Sequence, residues 1–171
     1  MKRFLAIFAL LCFIVYASAC ESNAANSDAQ TEKTPVAEEK VNSYKIGDEI
    51  TLTKNNGEYK LIVTGVEETS ERNQFAEKKP DRVIVISYSY ENVSLPDELY
   101  IGSTNFKAYD KENYLMDTYP VVLSEYPGSI SAGRKTSAKM AYGLDSEKNY
   151  VELEFYDNMF MDSDCKIILE W

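Results

Sequence analysis

Residues 83–92 read Val-Ile-Val-Ile-Ser-Tyr-Ser-Tyr-Glu-Asn, and this stretch decides the fold class. Its first four residues are all apolar, which is typical of a strand that is covered on both faces. The stretch then alternates into Tyr88 and Tyr90 and ends at Asn92, a residue type that favours turns. Residues 61–66, Leu-Ile-Val-Thr-Gly-Val, are similarly apolar. We predict that the two segments form the central strands of a two-layer core.

Four other segments alternate between apolar and polar residues, which predicts strands with one buried and one solvent-exposed face. They lie at about residues 50–53, 134–142, 150–156 and 165–171. Asn55-Asn56-Gly57 predicts a hairpin between the first two strands, because Asn and Gly adopt positive φ at little cost. No long stretch has the 3.6-residue period of a helix. About seven or eight short strands at this spacing predict an all-β antiparallel sandwich over residues 44–171.

Several of these segments resemble a known family. Residues 45–50 (Lys-Ile-Gly-Asp-Glu-Ile) and 59–66 (Tyr-Lys-Leu-Ile-Val-Thr-Gly-Val) resemble the start of the immunoglobulin-like bacterial lipoprotein domain called domain-of-unknown-function 4352. Residues 83–92 are similar to its next strand and Asn-containing turn, 132–142 to its glycine step into a strand, and 150–155 to its closing strand. The resemblance covers roughly residues 45–171. It implies an immunoglobulin-like sandwich with an extracytoplasmic binding or envelope role, and it supplies no catalytic residues.

The first 19 residues have the layout of a signal peptide. Lys2 and Arg3 form a positive start, residues 4–16 are almost all apolar, and Ala17-Ser18-Ala19 precedes Cys20. The apolar run is shorter than the ~20 residues that a membrane-spanning helix needs. We therefore predict export of the chain and removal of residues 1–19.

Cys20 is the predicted site of lipid attachment. Ala17-Ser18-Ala19-Cys20 resembles the lipobox of bacterial lipoproteins, although that motif usually has Leu where this chain has Ala17. The same residues also form an ordinary A-x-A cleavage site, which would leave a free, secreted protein. Residues 21–43 are polar and contain no aromatic residue, so we expect a flexible tether with a reach of roughly 25–29 Å. This spacer favours a chain that is anchored to the outer face of the cell membrane, with residues 20–43 as the lipidated tether.

Charge and residue content narrow the functional classes. After loss of Lys2 and Arg3, 16 basic residues face 28 acidic residues, a net charge of −12. This charge would repel nucleic acid and anionic headgroups. The chain has no histidine, which removes histidine-based catalysis and most zinc and copper(II) sites. Cys165 is the one thiol of the folded part, so a disulfide within the domain is ruled out. We predict a non-enzymatic protein without a cofactor.

The candidate binding residues are tyrosines. The turn-rich region 100–126 carries Tyr100, Tyr109, Tyr114, Tyr119 and Tyr126. Loops at the end of a rigid sandwich often carry recognition, and tyrosine offers both contact area and a hydroxyl. We predict that some of these rings form a face for a protein, peptide or glycan partner at the cell envelope, while most of the chain's tyrosines are structural.

Three alternatives use other residues. Any acidic protein contains carboxylate pairs that could serve an extracytoplasmic hydrolase, but no spacing singles out one pair. Residues 157–164 carry Asp157, Asp162 and Asp164, which could collect oxygens around Ca²⁺, although a solvated acidic loop explains them more simply. Met159, Met161 and Cys165 could suit Cu(I), but we expect these side chains to pack in the core.

Overall fold

The fold is a sandwich of two four-stranded β-sheets, seen in a computed structural model that describes residues 42–54 and 56–171. The strands are β1 (Ser43–Lys45), β2 (Ile50–Lys54), β3 (Gly57–Thr69), β4 (Arg82–Asn92), β5 (Phe106–Tyr109), β6 (Arg134–Leu144), β7 (Tyr150–Phe155) and β8 (Cys165–Glu170). A short 3-10 helix covers Ser103–Asn105. The predicted all-β sandwich is confirmed. The predicted signal peptide, Cys20 and residues 20–41 of the tether lie outside the described residues.

One sheet has the strand order β2-β3-β4-β6 and is fully antiparallel. The two segments predicted to be central, 61–66 and 83–86, do lie in its two inner strands, β3 and β4. Of these two strands, β4 is buried on both faces, from Val83 to Ile86. In β3 the outward-facing Thr64 is exposed. The prediction that both strands are covered on both faces is therefore confirmed for β4 and wrong for β3.

The other sheet has the order β1-β8-β7-β5. Its strands pair antiparallel except for β1, which runs parallel to β8. The alternation predicted for residues 151–155 and 165–169 is confirmed, because every second side chain in each segment is buried in the core. The predicted antiparallel sandwich is confirmed; the sequence did not indicate that the short edge strand β1 would lie parallel to the last strand.

The predicted hairpin joins β2 to β3 with Lys54 opposite Gly57. Gly57 does not have a positive φ, unlike Gly47 and Gly133. It is needed for another reason: a Cβ there would lie 2.7 Å from the carbonyl oxygen of Ser94, far inside van der Waals contact. The glycine therefore allows the chain after β4 to cross the hairpin.

The sandwich has two ends that matter below. At the Asn42 end lie the first described residue, the start of β8, the β2–β3 hairpin and the end of β4. At the Trp171 end lie the end of β8 and the start of β4, where the Arg82 guanidinium stands 5.8 Å from the centre of the Trp171 ring. The eleven residues of β4 connect the two ends over roughly 33 Å. No helix in residues 42–54 and 56–171 is long and apolar enough to cross a bilayer.

Candidate functional site

A cleft of about 930 Å³ lies beside the sandwich, towards the Trp171 end. One wall is the segment Tyr114–Tyr119, which we call the crossover segment because it links the two sheets. The other wall is residues 73–80, the loop between β3 and β4. Both walls lie outside the regular strands. Hydrogen bonds to β5 and β6 hold the crossover segment, and hydrogen bonds to Tyr119 and Pro120 hold residues 73–80.

The crossover segment pairs first with β5 and then with β6. The Met116 amide donates to the Ala108 carbonyl at 2.8 Å, and the Tyr119 amide donates to the Ala141 carbonyl at 2.8 Å. The segment therefore covers the edge strand of each sheet in turn. Two edges that would otherwise offer free backbone groups are closed in this way.

A tight turn at residues 110–113 starts the crossover segment. Asp110 is 8% exposed, and its Oδ1 accepts the amide protons of Glu112 at 3.0 Å and Tyr114 at 2.8 Å. Asn113 has φ of 65°, a left-handed conformation that Asn tolerates better than most residues. The Asp-and-Asn turn explains why the chain reverses here.

The opposite wall is attached to the crossover segment through Tyr119. This side chain is 6% exposed and packs on the outer face of β4 with Val83 and Val85. Its hydroxyl oxygen accepts the amide proton of Asn73 at 3.0 Å, while the Asn73 side-chain amide donates to the Pro120 carbonyl at 3.1 Å. The small cluster around Tyr119 is the reason that β4 is apolar on both faces.

The rim of the cleft exposes large apolar groups. Phe75 is 83% exposed, Tyr114 73% and Leu115 59%. Pro80 and Pro120 add to the same lining. Exposed apolar surface that is concentrated in a concave site often marks a binding site.

Most of the charged groups of the cleft have partners within the fold, and Glu77, which also lines it, is exposed. Lys78 forms an ion pair with Asp117, and the Lys79 ammonium donates to the carbonyls of Asn73 and Gln74 at 3.3 and 3.2 Å. Asp145 accepts the Asp81 amide proton at 3.1 Å. Each of the three aspartates that line the cleft, Asp110, Asp117 and Asp145, has a hydrogen-bond or ion-pair partner within the fold. The cleft therefore offers a ligand mainly apolar contact.

The five predicted tyrosines do not form one face. Tyr114 and Tyr119 line the cleft, whereas Tyr100, Tyr109 and Tyr126 lie outside it. Tyr119 is buried against β4 and gives the cleft little ring surface, so of the five tyrosines Tyr114 is the one that exposes its ring there. Tyr109 is half-buried in β5 opposite Glu152, and burial together with nearby Glu154 raises its pKa. Tyr100 and Tyr126 are 52% and 64% exposed.

Phe75 is the main residue that the sequence interpretation missed. A signal was present: Phe75 is the one aromatic residue in the polar stretch 70–81, where a solvated loop needs none. Its amide donates to the Asn73 side-chain oxygen at 2.8 Å, a local turn that directs Phe75 outward.

The acidic loop 157–164 is built differently from a cation site. The Asp157 carboxylate accepts the Tyr59 hydroxyl at 2.7 Å and pairs with the Lys54 ammonium at 2.8 Å. The Asp164 carboxylate accepts the Asp157 amide proton at 2.7 Å. Across the described ranges 42–54 and 56–171, no group of three or more His, Cys, Asp or Glu side chains is arranged to hold a metal ion.

The sulfur-containing residues of that region divide between core and surface. Cys165 is 1% exposed, and burial raises the pKa of its thiol to about 12. Met159 and Met161 are 54% and 68% exposed. Core packing was thus predicted correctly for Cys165. It was predicted wrongly for the two methionines, which are exposed to solvent on either side of Phe160.

No protein-family model and no curated protein matches the sequence. Among solved structures, the chain is similar to MPT63, a secreted protein of Mycobacterium tuberculosis, with a TM-score of 0.58 and 12% identity over 75% of this chain and 96% of that one. It is also similar to a proposed lipoprotein of Bacillus subtilis, ycdA, with a TM-score of 0.55 and 17% identity. That match covers 72% of this chain and 39% of the other. At these identities the likeness shows a shared β-sandwich fold.

Proposed function

We propose that the chain is an exported lipoprotein, anchored through Cys20, whose sandwich binds an apolar segment of a protein or peptide partner in the cleft between residues 73–80 and the crossover segment. The observation that carries this proposal is the cleft's rim, where Phe75, Tyr114 and Leu115 are more than half exposed on walls held by hydrogen bonds. The role is binding without catalysis.

The chemistry of the lining favours a peptide over a glycan. Sugars are held by an aromatic ring together with several free hydrogen-bonding groups. In this cleft Asp110, Asp117 and Asp145 have partners within the fold, which leaves Glu77 as the one lining carboxylate without a partner among the described residues. An aliphatic or aromatic side chain of a partner needs only the apolar surface, which removal from water stabilises by roughly 25 cal/mol per Å².

The extracytoplasmic location rests on several kinds of support. The sequence has the layout of a lipoprotein precursor, and the two structural relatives that share its fold carry descriptions as a secreted protein and a proposed lipoprotein. The resemblance to domain-of-unknown-function 4352 points the same way. The intact mass of the mature chain from membranes tests the anchor, because lipidation adds a diacylglyceryl group to Cys20.

Small probes test the cleft itself. We expect N-acetyl-phenylalaninamide and N-acetyl-leucinamide, at millimolar concentration, to shift the amide NMR signals of residues 75–79 and 114–119 in the mature chain. N-acetylglucosamine should leave these signals in place. The double variant Phe75→Ser/Leu115→Ser should lose the response.

Val122→Ser is the matched control, since Val122 is also 83% exposed but does not line the cleft. It should respond like the unaltered chain. Shifts with the sugar alone, or equal shifts in the double variant, would contradict the proposed peptide site.

A further inference from the structure

Three consecutive apolar side chains project from the loop between β7 and β8, at the Asn42 end. Met159 is 54% exposed, Phe160 88% and Met161 68%. We call residues 159–161 the apolar tip. A single exposed apolar residue is ordinary, but a contiguous group of large ones marks a contact surface.

The base of the tip is firmly held. The Asp164 amide donates to the Phe155 carbonyl at 2.9 Å, which closes the loop at its neck. Asp157 ties the same neck to the other sheet through the Tyr59 hydroxyl and the Lys54 ammonium. At the tip, the Met161 amide donates to the Asn158 carbonyl at 3.0 Å. The fold thus presents the three side chains outward instead of folding them over the core.

The chain that precedes the sandwich leaves beside this loop. The Asn42 carbonyl accepts the Lys166 amide proton at 3.0 Å, and Lys166 is the second residue of β8. Because β1 runs parallel to β8, the chain before Asn42 departs at the end where the loop enters β8. Cys20 lies 22 residues earlier in the sequence. A membrane that holds Cys20 is therefore connected to the sandwich on the side of the apolar tip.

We propose that the apolar tip inserts into the headgroup region of the membrane that carries the lipid on Cys20. This proposal rests on the anchoring proposed above. The tether keeps the tip at a high effective concentration near the bilayer, so that even a weak insertion is populated. The cleft lies towards the opposite end of the sandwich, and insertion of the tip would turn the cleft away from the membrane.

Charge indicates which kind of contact this is. The mature chain is strongly acidic, so attraction to anionic headgroups does not drive it. At the base of the tip, Asp157 is paired with Lys54, and the Asp164 carboxylate accepts a backbone proton. Asp162, directly after the tip, is exposed and adds a further negative charge on this side. The contact therefore depends on burial of the three side chains, and a zwitterionic phosphatidylcholine bilayer is sufficient.

An environment-sensitive fluorophore at position 160 tests the proposal. The lipidated mature chain with Phe160→Cys is labelled and reconstituted into phosphatidylcholine vesicles, at less than one protein per vesicle. Cys165 does not interfere, because it is 1% exposed, and the sulfur of a lipidated Cys20 is blocked. Phe75→Cys, at a similarly exposed aromatic residue of the cleft, is the matched control.

We expect a blue shift of the emission at position 160, quenching by lipids that carry a spin label near the headgroup, and neither effect at position 75. Emission at position 160 as in water, on a chain whose mass shows the lipid, would overturn the tip's role and leave the anchor intact. A shift without quenching by lipid would place the fluorophore against protein surface instead of lipid and also overturn the proposal. An unmodified mass at Cys20 would remove the anchor and the proposal together.

Discussion

Gly143 in β6 sets the position of one cleft wall, and its replacement by alanine is the sharpest test of that geometry. A Cβ at this position would lie 2.8 Å from Cγ and 2.9 Å from Cβ of Pro80. Ordinary contact begins at about 3.4 Å, so the Pro80 ring must move by at least several tenths of an ångström. Pro80 cannot rotate away as a long side chain would, because its ring is closed on the backbone.

The size of the effect follows from two opposed terms. Overpacking costs about 1–3 kcal/mol, whereas alanine gains roughly 0.5–1 kcal/mol over glycine within a strand. We expect Gly143→Ala to lower the free energy of unfolding by about 1 kcal/mol, with a range of roughly 0–2.5. For a urea m-value of about 1–3 kcal/mol per molar, the midpoint of unfolding falls by roughly half a molar.

Urea unfolding and amide hydrogen exchange measure this together. Exchange should become faster in residues 73–80, because the wall has moved, while the centre of β4 stays protected. Gly128→Ala is the matched control: no atom lies within 4 Å of its added Cβ, and it should be neutral or slightly stabilising. An unchanged midpoint combined with unchanged exchange in residues 73–80 would refute the close contact with Pro80.

Three further predictions concern the rest of the fold. Tyr119→Phe should lower the free energy of unfolding by about 1 kcal/mol, because the Asn73 amide loses its acceptor. Tyr119→Ala should lower it by about 3–5 kcal/mol, because it leaves a cavity on β4. Equal losses for the two variants in chemical unfolding would contradict the packing of Tyr119 on the outer face of β4. Burial raises the pKa values of Tyr59, Tyr88 and Tyr142 in the fold. Their contribution to stability should therefore be fully present below the unfolded tyrosine pKa of about 10 and be lost as pH rises beyond it. A urea midpoint at pH 11 equal to that at pH 9 would be contrary to this. The thermal midpoint of unfolding should be the same in millimolar Ca²⁺ as in EDTA, because Asp157 and Asp164 already have partners within the fold. A clear rise of the midpoint with Ca²⁺ would support a cation site in residues 157–164.

Much of the sandwich was predictable because its signals are local. The alternation in residues 150–155 and 165–170 follows from the two faces of a strand, and the run at Val83–Ile86 indicated a strand with two covered faces. The parallel position of β1 was not predictable in the same way. Three residues carry too little pattern to select a partner more than a hundred positions away in sequence.

The cleft was predictable only in part, because its two walls come from segments that are far apart in the sequence. The tyrosine-rich region 100–126 pointed to the crossover segment, and Tyr114 does line the cleft. The sequence did not indicate that Tyr119 would be buried, because its burial depends on the apolar outer face of β4. Nor did it indicate that residues 73–80 would form the second wall of the cleft. The methionines at 159 and 161 were misjudged because apolar side chains are usually buried, and a loop that projects from the core is the exception.

The central claim is that one surface of an anchored sandwich, the cleft, carries partner binding. The most direct measurement places a photo-crosslinking amino acid at position 115 of the full chain in living cells, with position 122 as the control, and identifies the crosslinked products by mass. We expect a discrete protein or peptide adduct at position 115 that is absent at position 122 and is lost when Phe75 is replaced by Ser. The same adducts at both positions, or none at position 115 in a chain that reaches the membrane, would contradict it.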